Sequence, residues 1–390
     1  MSPEDELCLL LARGQLSQEA QERALRLLRT GLRWDLLLAR AREHQVTPLL
    51  YRSLRALDFQ GVPEAPRAQL RTAFRMNALR NAYLAGELAR VLQLLNGSGV
   101  RVIPLKGVAL AESLYGDSAF RVCSDIDILV APSEALLAHR LLVVHGYTSP
   151  FAEDFFANHQ FRAGAECPLT PEKPLFSYQL EFHWTLLQHS RKDEQAVQDL
   201  WFQARPKDFF GVRAYGLTPE WEFLYLACHA AHHKWHTLQW LADIHELCVS
   251  AQIDWQQVRE KSERFELDSV VGSTLAACSS LFGTPAPANI PTRALPAGVH
   301  LFPASLAASE VWDEPLFHPG LLTRPSEKLR WFAEMIFVPR LADNLFIALP
   351  SSLSFLYYFL RPLRLTVKWT WLMLSAGFRT LGRRLRFTPE

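Results

Sequence analysis

The chain has 390 residues, 49% of them hydrophobic and 21% charged, with a formal net charge of +1. That length buries a large core and admits two or three domains, and the near-neutral balance excludes a general nucleic-acid binder, which carries a strong basic excess. Six widely spaced cysteines with no CxxC pair, and acids rather than lysines in the opening MSPEDELCLLLARG, predict reduced thiols, no export signal and a cytoplasmic protein.

Residues 1–95 read as helices. Leu9, Leu10 and Leu11, Leu25 and Leu28, then Trp34, Leu36, Leu37 and Leu38 recur at helical spacings, with Gly31 as a stop. From Pro66 a longer stripe runs through Leu70, Phe74, Asn77, Asn81, Leu84, Leu88, Val91 and Leu95. Asn77 and Asn81 interrupt it, either as an interhelix hydrogen bond or as the lining of a site. Asn96-Gly97-Ser98-Gly99 ends that helix, because glycine accepts the left-handed conformation of a helix end. A short strand over 100–105 follows, then a helix over 107–115, a second strand over 122–130 and a helix from Ser133 to about Val144, closed by Gly146.

Residues 148–175 contain Pro150, Pro168, Pro171 and Pro174 and read as loops; 176–187 is the next strand. Thr218-Pro219-Glu220 opens a helical region that runs to about Val249 with a break near Lys234-Trp235. Asp254 with Gln257 resembles a capping box. The prolines between Pro285 and Pro296 mark a linker, and no internal repeat or low-complexity tract is present. Most of the eleven tryptophans lie beyond residue 180, which speaks for folded structure there. At the end, the uncharged stretch 344–360 is short for a membrane span. Arg361, Arg364 and Lys368, the apolar run 369–378 and Arg379, Arg383, Arg384 and Arg386 follow. Residues 344–386 either lie as a basic amphipathic tail on the inner face of a membrane or pack as a helical pair with their arginines in solvent.

The chemistry concentrates in 100–130, VRVIPLKGVALAESLYGDSAFRVCSDIDILV. In a strand, residues two apart project from one face, roughly 6.6–7 Å from each other, so Asp125 and Asp127 point together while Ile126 and Ile128 face away. Two carboxylates beside apolar strand residues need positive charge to offset the cost of burial. Mg²⁺ meets that need with a few carboxylates, water and substrate phosphates; the bland alternative is a strand end with both acids solvated. Leu105-Lys106-Gly107 places backbone amides, a lysine and a helix start close by, an arrangement that attracts phosphate. Arg121 could pair with a phosphate or with an aspartate. In Gln179-Leu180-Glu181-Phe182-His183-Trp184 the period-2 alternation puts Glu181 and His183 on one polar face. An adjacent strand would bring Glu181 to the aspartates as a third ligand or a general base, unless that face simply meets solvent. Further on, His229/His233 and His232/His236 form two i,i+4 pairs. They either chelate zinc, or bond acids such as Asp243, or place His233, Lys234 and Trp235 against a phosphate and a base.

With LKGVALAESLY, Arg121, DIDILV, LEFHW and HAAHHKWHTLQWLADIHEL in view, residues 35–250 and the RPLRL near 361 resemble the nucleotidyltransferases of the DNA polymerase β superfamily. Within it they are most similar to a poorly characterised bacterial branch often found near polysaccharide or peptide-modification genes. The resemblance implies an α+β fold in which a small mixed sheet forms a nucleotidyltransferase core between N-terminal and C-terminal helical regions. In that division 1–98 is an N-terminal helical region, 99–215 the core, 216–282 a helical lid or substrate region and 283–390 a C-terminal helical region with the basic tail. It also implies Mg²⁺-dependent transfer of a nucleoside monophosphate from an NTP to a small-molecule, saccharide or peptide acceptor, at a two-metal site. Asp125, Asp127 and Glu181 would be the metal ligands and catalytic acids; Lys106, Gly107, Arg121, His183, His233 and Lys234 would bind substrate. An inactive relative that binds a nucleotide or a partner is the alternative. The chain departs from the superfamily pattern where Val108 follows Gly107 in place of a serine, and in the long stretch 108–124 before Asp125.

Overall fold

The computed structural model describes residues 1–151, 166–186, 193–296, 325–339 and 349–368, together with the single positions 153, 299, 302, 343, 346, 347 and 370. Their contacts form two compact units, Met1–Ser149 with Glu166–Leu321, and Pro150–Ala165 with Leu322–Glu390.

The first unit is an α+β fold. Helices α1 (Pro3–Leu11), α2 (Gln18–Leu28), α3 (Trp34–Glu43) and α4 (Thr47–Ala56) lead into the long α5 (Glu64–Gly97). Ser2 and Ser17 cap the first two helices by accepting from Asp5 and Ala20 amides. Then come β1 (Val102–Pro104), α6 (Gly107–Tyr115), β2 (Ile126–Val130), α7 (Ala135–Val144) and β3 (Tyr147–Thr148), followed by β4 (Glu166–Pro171), β5 (Leu180–His183) and α8 (Asp193–Gln203). The hairpin β6 (Arg205–Phe209) and β7 (Val212–Gly216) precedes α9 (Pro219–His232), α10 (Leu238–Ser250), α11 (Trp255–Phe265) and α12 (Asp268–Phe282). One apolar core joins α1–α4 and α9–α12 to side chains of the sheet such as Ile103 and Leu129.

The central sheet is small and mixed, in the order β1-β2-β5-β4-β3. β1 runs antiparallel to β2, β2 parallel to β5, and β4 antiparallel to both β5 and β3. All five residues of β2 are buried, Asp127 included, as expected for a strand covered on both faces.

Two local readings are revised by the structure, and a hairpin is added. The second strand begins at Ile126, because the backbone before it bonds to side chains instead of to a neighbouring strand. Asn77 donates to the carbonyls of Ala119 and Arg121, Asn81 to those of Ser118 and Arg121, and Arg80 to those of Cys123 and Ser124. The two asparagines of the α5 stripe therefore bond the short 3-10 helix Ser118–Phe120 and the residue after it, the interhelix alternative, and do not line the cleft. Second, β4 occupies part of the stretch read as loops. Pro168 is tolerated because the neighbouring β3 is only two residues long and pairs Thr170 and Pro171, leaving that side of β4 unpaired at 168, while Pro171 is the last residue of the strand. The hairpin turns at Phe210-Gly211, whose φ values of 50 and 80 match the tight turn such hairpins prefer. The expected break near Lys234-Trp235 is present, with both residues at positive φ between α9 and α10.

In the second unit, α13 (Pro325–Phe337) and the helical residues 357–368 are tied by a buried arginine. Arg361 pairs with Asp343 at 2.9 Å and donates to the Met335 carbonyl, and Arg364 reaches the other oxygen of Asp343 at 2.6 Å. Arg361 and Arg364 are thus neither in free solvent nor presented to a lipid face; residues 371–386 lie outside the described part. No helix among the described residues is long and apolar enough to cross a membrane.

Candidate active site

The site starts from β-strand register. In the parallel pair β2/β5, Asp127 stands opposite Glu181 and Leu129 opposite His183; in the antiparallel pair β4/β5, Glu166 stands opposite His183. Alternation sends Leu180 and Phe182 into the core and turns Glu181 and His183 toward the acids of β2. On the other side, the Leu105 amide donates to the Asp127 carbonyl at 3.0 Å, so Lys106 leaves the end of β1 directly beside these acids. Gly107 opens α6 at φ +66, and a Cβ there would meet the Asp125 carbonyl at 3.3 Å. Glycine is required by both the conformation and the close approach.

The resulting charge cluster is compact. Lys106 Nζ lies 3.1 Å from Asp127 Oδ1, 3.8 Å from Glu181 Oε2 and 3.9 Å from Asp125 Oδ2. His183 Nε2 lies 3.2 Å from Asp127 Oδ1 and 3.7 Å from Glu181 Oε2, and its Nδ1 is 3.3 Å from Glu166 Oε2. Burial alone would strip these groups of charge, but their mutual attraction wins. Burial lowers the His183 pKa less than Asp127, Glu181 and Glu166 raise it, leaving it at about 10. Burial pulls Glu181 upward, yet its bonds to His183 and the charge of Lys106 hold it at about 2. Lys106 is pushed well above an ordinary lysine by Asp127 and the other acids despite its burial. Asp125 goes the opposite way: burial, reinforced by the charge of Asp127, raises its pKa.

Asp127 is the floor of the cluster. Its Oδ2 is buried and has no hydrogen-bond partner, an atom that asks for a cation. Among the described residues, Asp127, Glu181 and His183 are the set whose ligand atoms converge closely enough to share a metal ion. Two carboxylates and an imidazole are a competent donor set for a divalent cation.

Above the acids a cleft of about 320 Å³ opens, lined by Lys106, Asp125, Glu166, Glu181 and His183 on the sheet side and by Tyr225, Cys228, His229, His232, His233 and Trp240 on the helical side. Trp240 packs against the rings of His229 and His233, with centroids 5.1 and 4.8 Å away. Burial and the Lys106 charge keep the His229 pKa far below the usual histidine value, so this aromatic wall carries a neutral ring. The histidines do not bond Asp243, which instead accepts from Arg121 Nε at 2.9 Å and from the Tyr115 hydroxyl at 2.8 Å. Trp235 is buried and donates its indole N–H to Thr274.

Of the residues nominated from sequence, Lys106, Gly107, Asp125, Asp127, Glu181 and His183 gather at one point. Arg121 reaches the cleft wall while paired to Asp243, His233 lines the helical side, and Lys234 sits in the turn after α9 without lining the cleft. Glu166 escaped the sequence reading because prolines hid its strand; its alternating pattern with buried Cys167 and Leu169 was the available signal. Gln239 escaped too. It brackets Val122, accepting from its amide at 2.8 Å and donating to its carbonyl at 3.1 Å.

A family model described as an uncharacterised nucleotidyltransferase matches residues 30–283. No curated protein matches the chain. Among solved structures, an antigenic nucleotidyltransferase-like protein from Paracoccidioides brasiliensis aligns at 14% identity over 52% of this chain and 97% of that one, with a TM-score of 0.30, too low to speak for the fold.

Proposed function

The chain belongs to this family of uncharacterised nucleotidyltransferases, and from that premise we propose that it moves a nucleoside monophosphate from an NTP to an acceptor hydroxyl or phosphate on a small molecule, saccharide or peptide. The observation that carries the reading is the register that sets Asp127 opposite Glu181 on parallel strands, with Asp125 and Lys106 at the same cleft. Asp125, Asp127 and Glu181 would hold Mg²⁺; bound there, divalent cations would neutralise the triphosphate and stabilise the attacking and leaving oxygens.

The chain's own residues supply the remainder. Glu181, held at about 2, serves as a ligand and is too weak a base to take a proton near neutrality. The proton of the incoming hydroxyl would pass to Asp125, another carboxylate lining the cleft. That oxygen bonds to the α-phosphorus as the bridge to the β-phosphate breaks and pyrophosphate leaves. Lys106 and the first amides of α6 face phosphate charge. Arg121 orients the cleft wall through Asp243, and the ring wall of His229, His233 and Trp240 offers a flat surface for a base. The free, mostly buried thiols support a cytoplasmic setting.

The test is label transfer. Asp127→Asn should abolish labelling of acceptor from α-labelled NTP with Mg²⁺ present, and undiminished labelling would sink the reading. A second reading, a nucleotide-binding module without turnover, is favoured by Val108. That residue is buried beside Gly107 and offers no hydroxyl to a triphosphate. A thermal shift with NTP that needs no metal, with no label transferred, would select it.

A further inference from the structure

We infer that the ion seated between Asp127 and Glu181 is also bound by His183 Nε2, that Glu166 is the positioning residue for that imidazole, and that the seat therefore selects a transition ion such as Mn²⁺ over Mg²⁺. The inference rests on the nucleotidyl-transfer reading in taking this cluster for a cation seat, and it alters which ion and which residues define it.

Five observations lead there. His183 is nearly buried and its two ring nitrogens have distinct partners: Nδ1 faces Glu166 at 3.3 Å, while Nε2 faces Asp127 and Glu181. A histidine that ligates a metal commonly donates its other ring N–H to a carboxylate, which fixes the tautomer and aims the lone pair; the ion takes the place of the Nε2 proton, which is released to solvent as it binds. Here β4/β5 register supplies that carboxylate, since Glu166 and His183 are cross-strand partners. The three ligand atoms of Asp127, Glu181 and His183 converge within 4.8 Å of one another. The Asp127 Oδ2 atom, buried and unpartnered, leaves one more coordination point in the same place.

The fifth observation is Lys106. Its ammonium stands 3.1 Å from Asp127 Oδ1, so an incoming ion competes with a fixed positive charge. Mg²⁺ enters that contest poorly, because it sheds water reluctantly and demands oxygen ligands in near-ideal octahedral array. An ion of the Mn²⁺ to Zn²⁺ series gains from the imidazole nitrogen, which Mg²⁺ does not. Asp125, 3.9 Å from the same ammonium, gives Lys106 a partner once it yields Asp127.

The experiment uses the full chain stripped with chelator and no nucleotide. Free Mn²⁺ is followed by electron paramagnetic resonance with Mg²⁺ as competitor, and the bound ion by spin-echo modulation from ¹⁴N. The expected result is directly coordinated nitrogen on the bound Mn²⁺, and displacement by Mg²⁺ only at more than about tenfold excess. His183→Asn should remove both the nitrogen signal and the preference. Glu166→Gln should keep the nitrogen signal while weakening Mn²⁺ by about 10–100-fold, a split that a merely structural role would not produce. Absence of bound Mn²⁺, absence of nitrogen coupling, or one-for-one competition by Mg²⁺ would overturn the inference. Its failure and that of the transfer reading are separable. Label transfer with Mg²⁺ alone that survives His183→Asn removes this inference and leaves transfer standing, whereas nitrogen-bound Mn²⁺ without transfer does the reverse.

Discussion

Lys106 Nζ lies within 4 Å of three carboxylates, so its removal leaves a buried Asp127 without its nearest counter-charge. Breaking such a pair costs about 3–5 kcal/mol. Lys106→Met should therefore lower the metal-free unfolding free energy by roughly that amount, and added Mn²⁺ should restore most of it by filling the same seat. Urea unfolding with and without metal checks this; a loss that metal cannot repair would show that ammonium and ion do not share the site. A second expectation concerns pH. His183 is held at about 10 against an ordinary value of 6.5, so the folded state binds a proton that the unfolded chain has released. Its contribution is fully present below about 6.5 and disappears as pH rises through about 10. Glu181, depressed to about 2 from 4.5, contributes above about 4.5 and loses that contribution as pH falls through about 2. Metal-free urea midpoints should thus decline between pH 7 and 10, and His183→Asn should flatten that alkaline arm. An unchanged slope in the variant would place the titrating group elsewhere.

Among the elements, α5 and α10 do more than pack. Side chains from α5 (Asn77, Arg80, Asn81) and from α10 (Gln239, Asp243) grip residues 118–124, the segment that delivers Asp125 to the cleft. The Arg121–Asp243 pair is buried, with Arg121 at 5% and Asp243 at 0% exposure. Arg121→Ala leaves the buried Asp243 with the Tyr115 hydroxyl but without its counter-charge, and should cost about 3–5 kcal/mol in urea unfolding. Replacing both residues by apolar ones of similar volume should recover much of that stability, yet the loop would lose its tether to α10. A double variant as stable as the parent but slower in label transfer would fit that division of labour; a single variant of undiminished stability would refute it. Of these elements, α6 was legible to the residue, because LKGVALAESLY carries its own glycine start and helical periodicity. The strand β4 was not, because prolines signal loops locally and only the tertiary pairing shows one of them beyond the reach of the two-residue β3 and the other at the strand's end.

For the whole molecule, the second unit presents apolar residues to the surface: Phe359 is 72% exposed and Val367 64%, beside an arginine–aspartate lock that fixes the helical residues 357–368 on α13. The expectation that residues 344–386 meet a membrane can be tested on these side chains. The full chain should float with vesicles containing anionic lipid, and a Phe359→Glu, Leu363→Glu double variant should stay in the pellet. Equal flotation of both proteins would assign the binding to another part of the chain. Sequence by itself determined the acids and their spacing, and the face of those that lie in strands; Asp125 precedes β2 and is placed by its loop. Asp125 and Asp127 follow from D-x-D, and Glu181 and His183 from the alternation in LEFHW, because a strand's two-residue period is a local property. Tertiary structure alone decided which strands became neighbours. Asp127 meets Glu181 through a parallel register across more than fifty residues of chain, Glu166 meets His183 through a strand hidden by prolines, and Arg121 finds Asp243 on a distant helix. Such pairings depend on the burial of whole faces, a quantity that no short stretch of residues contains.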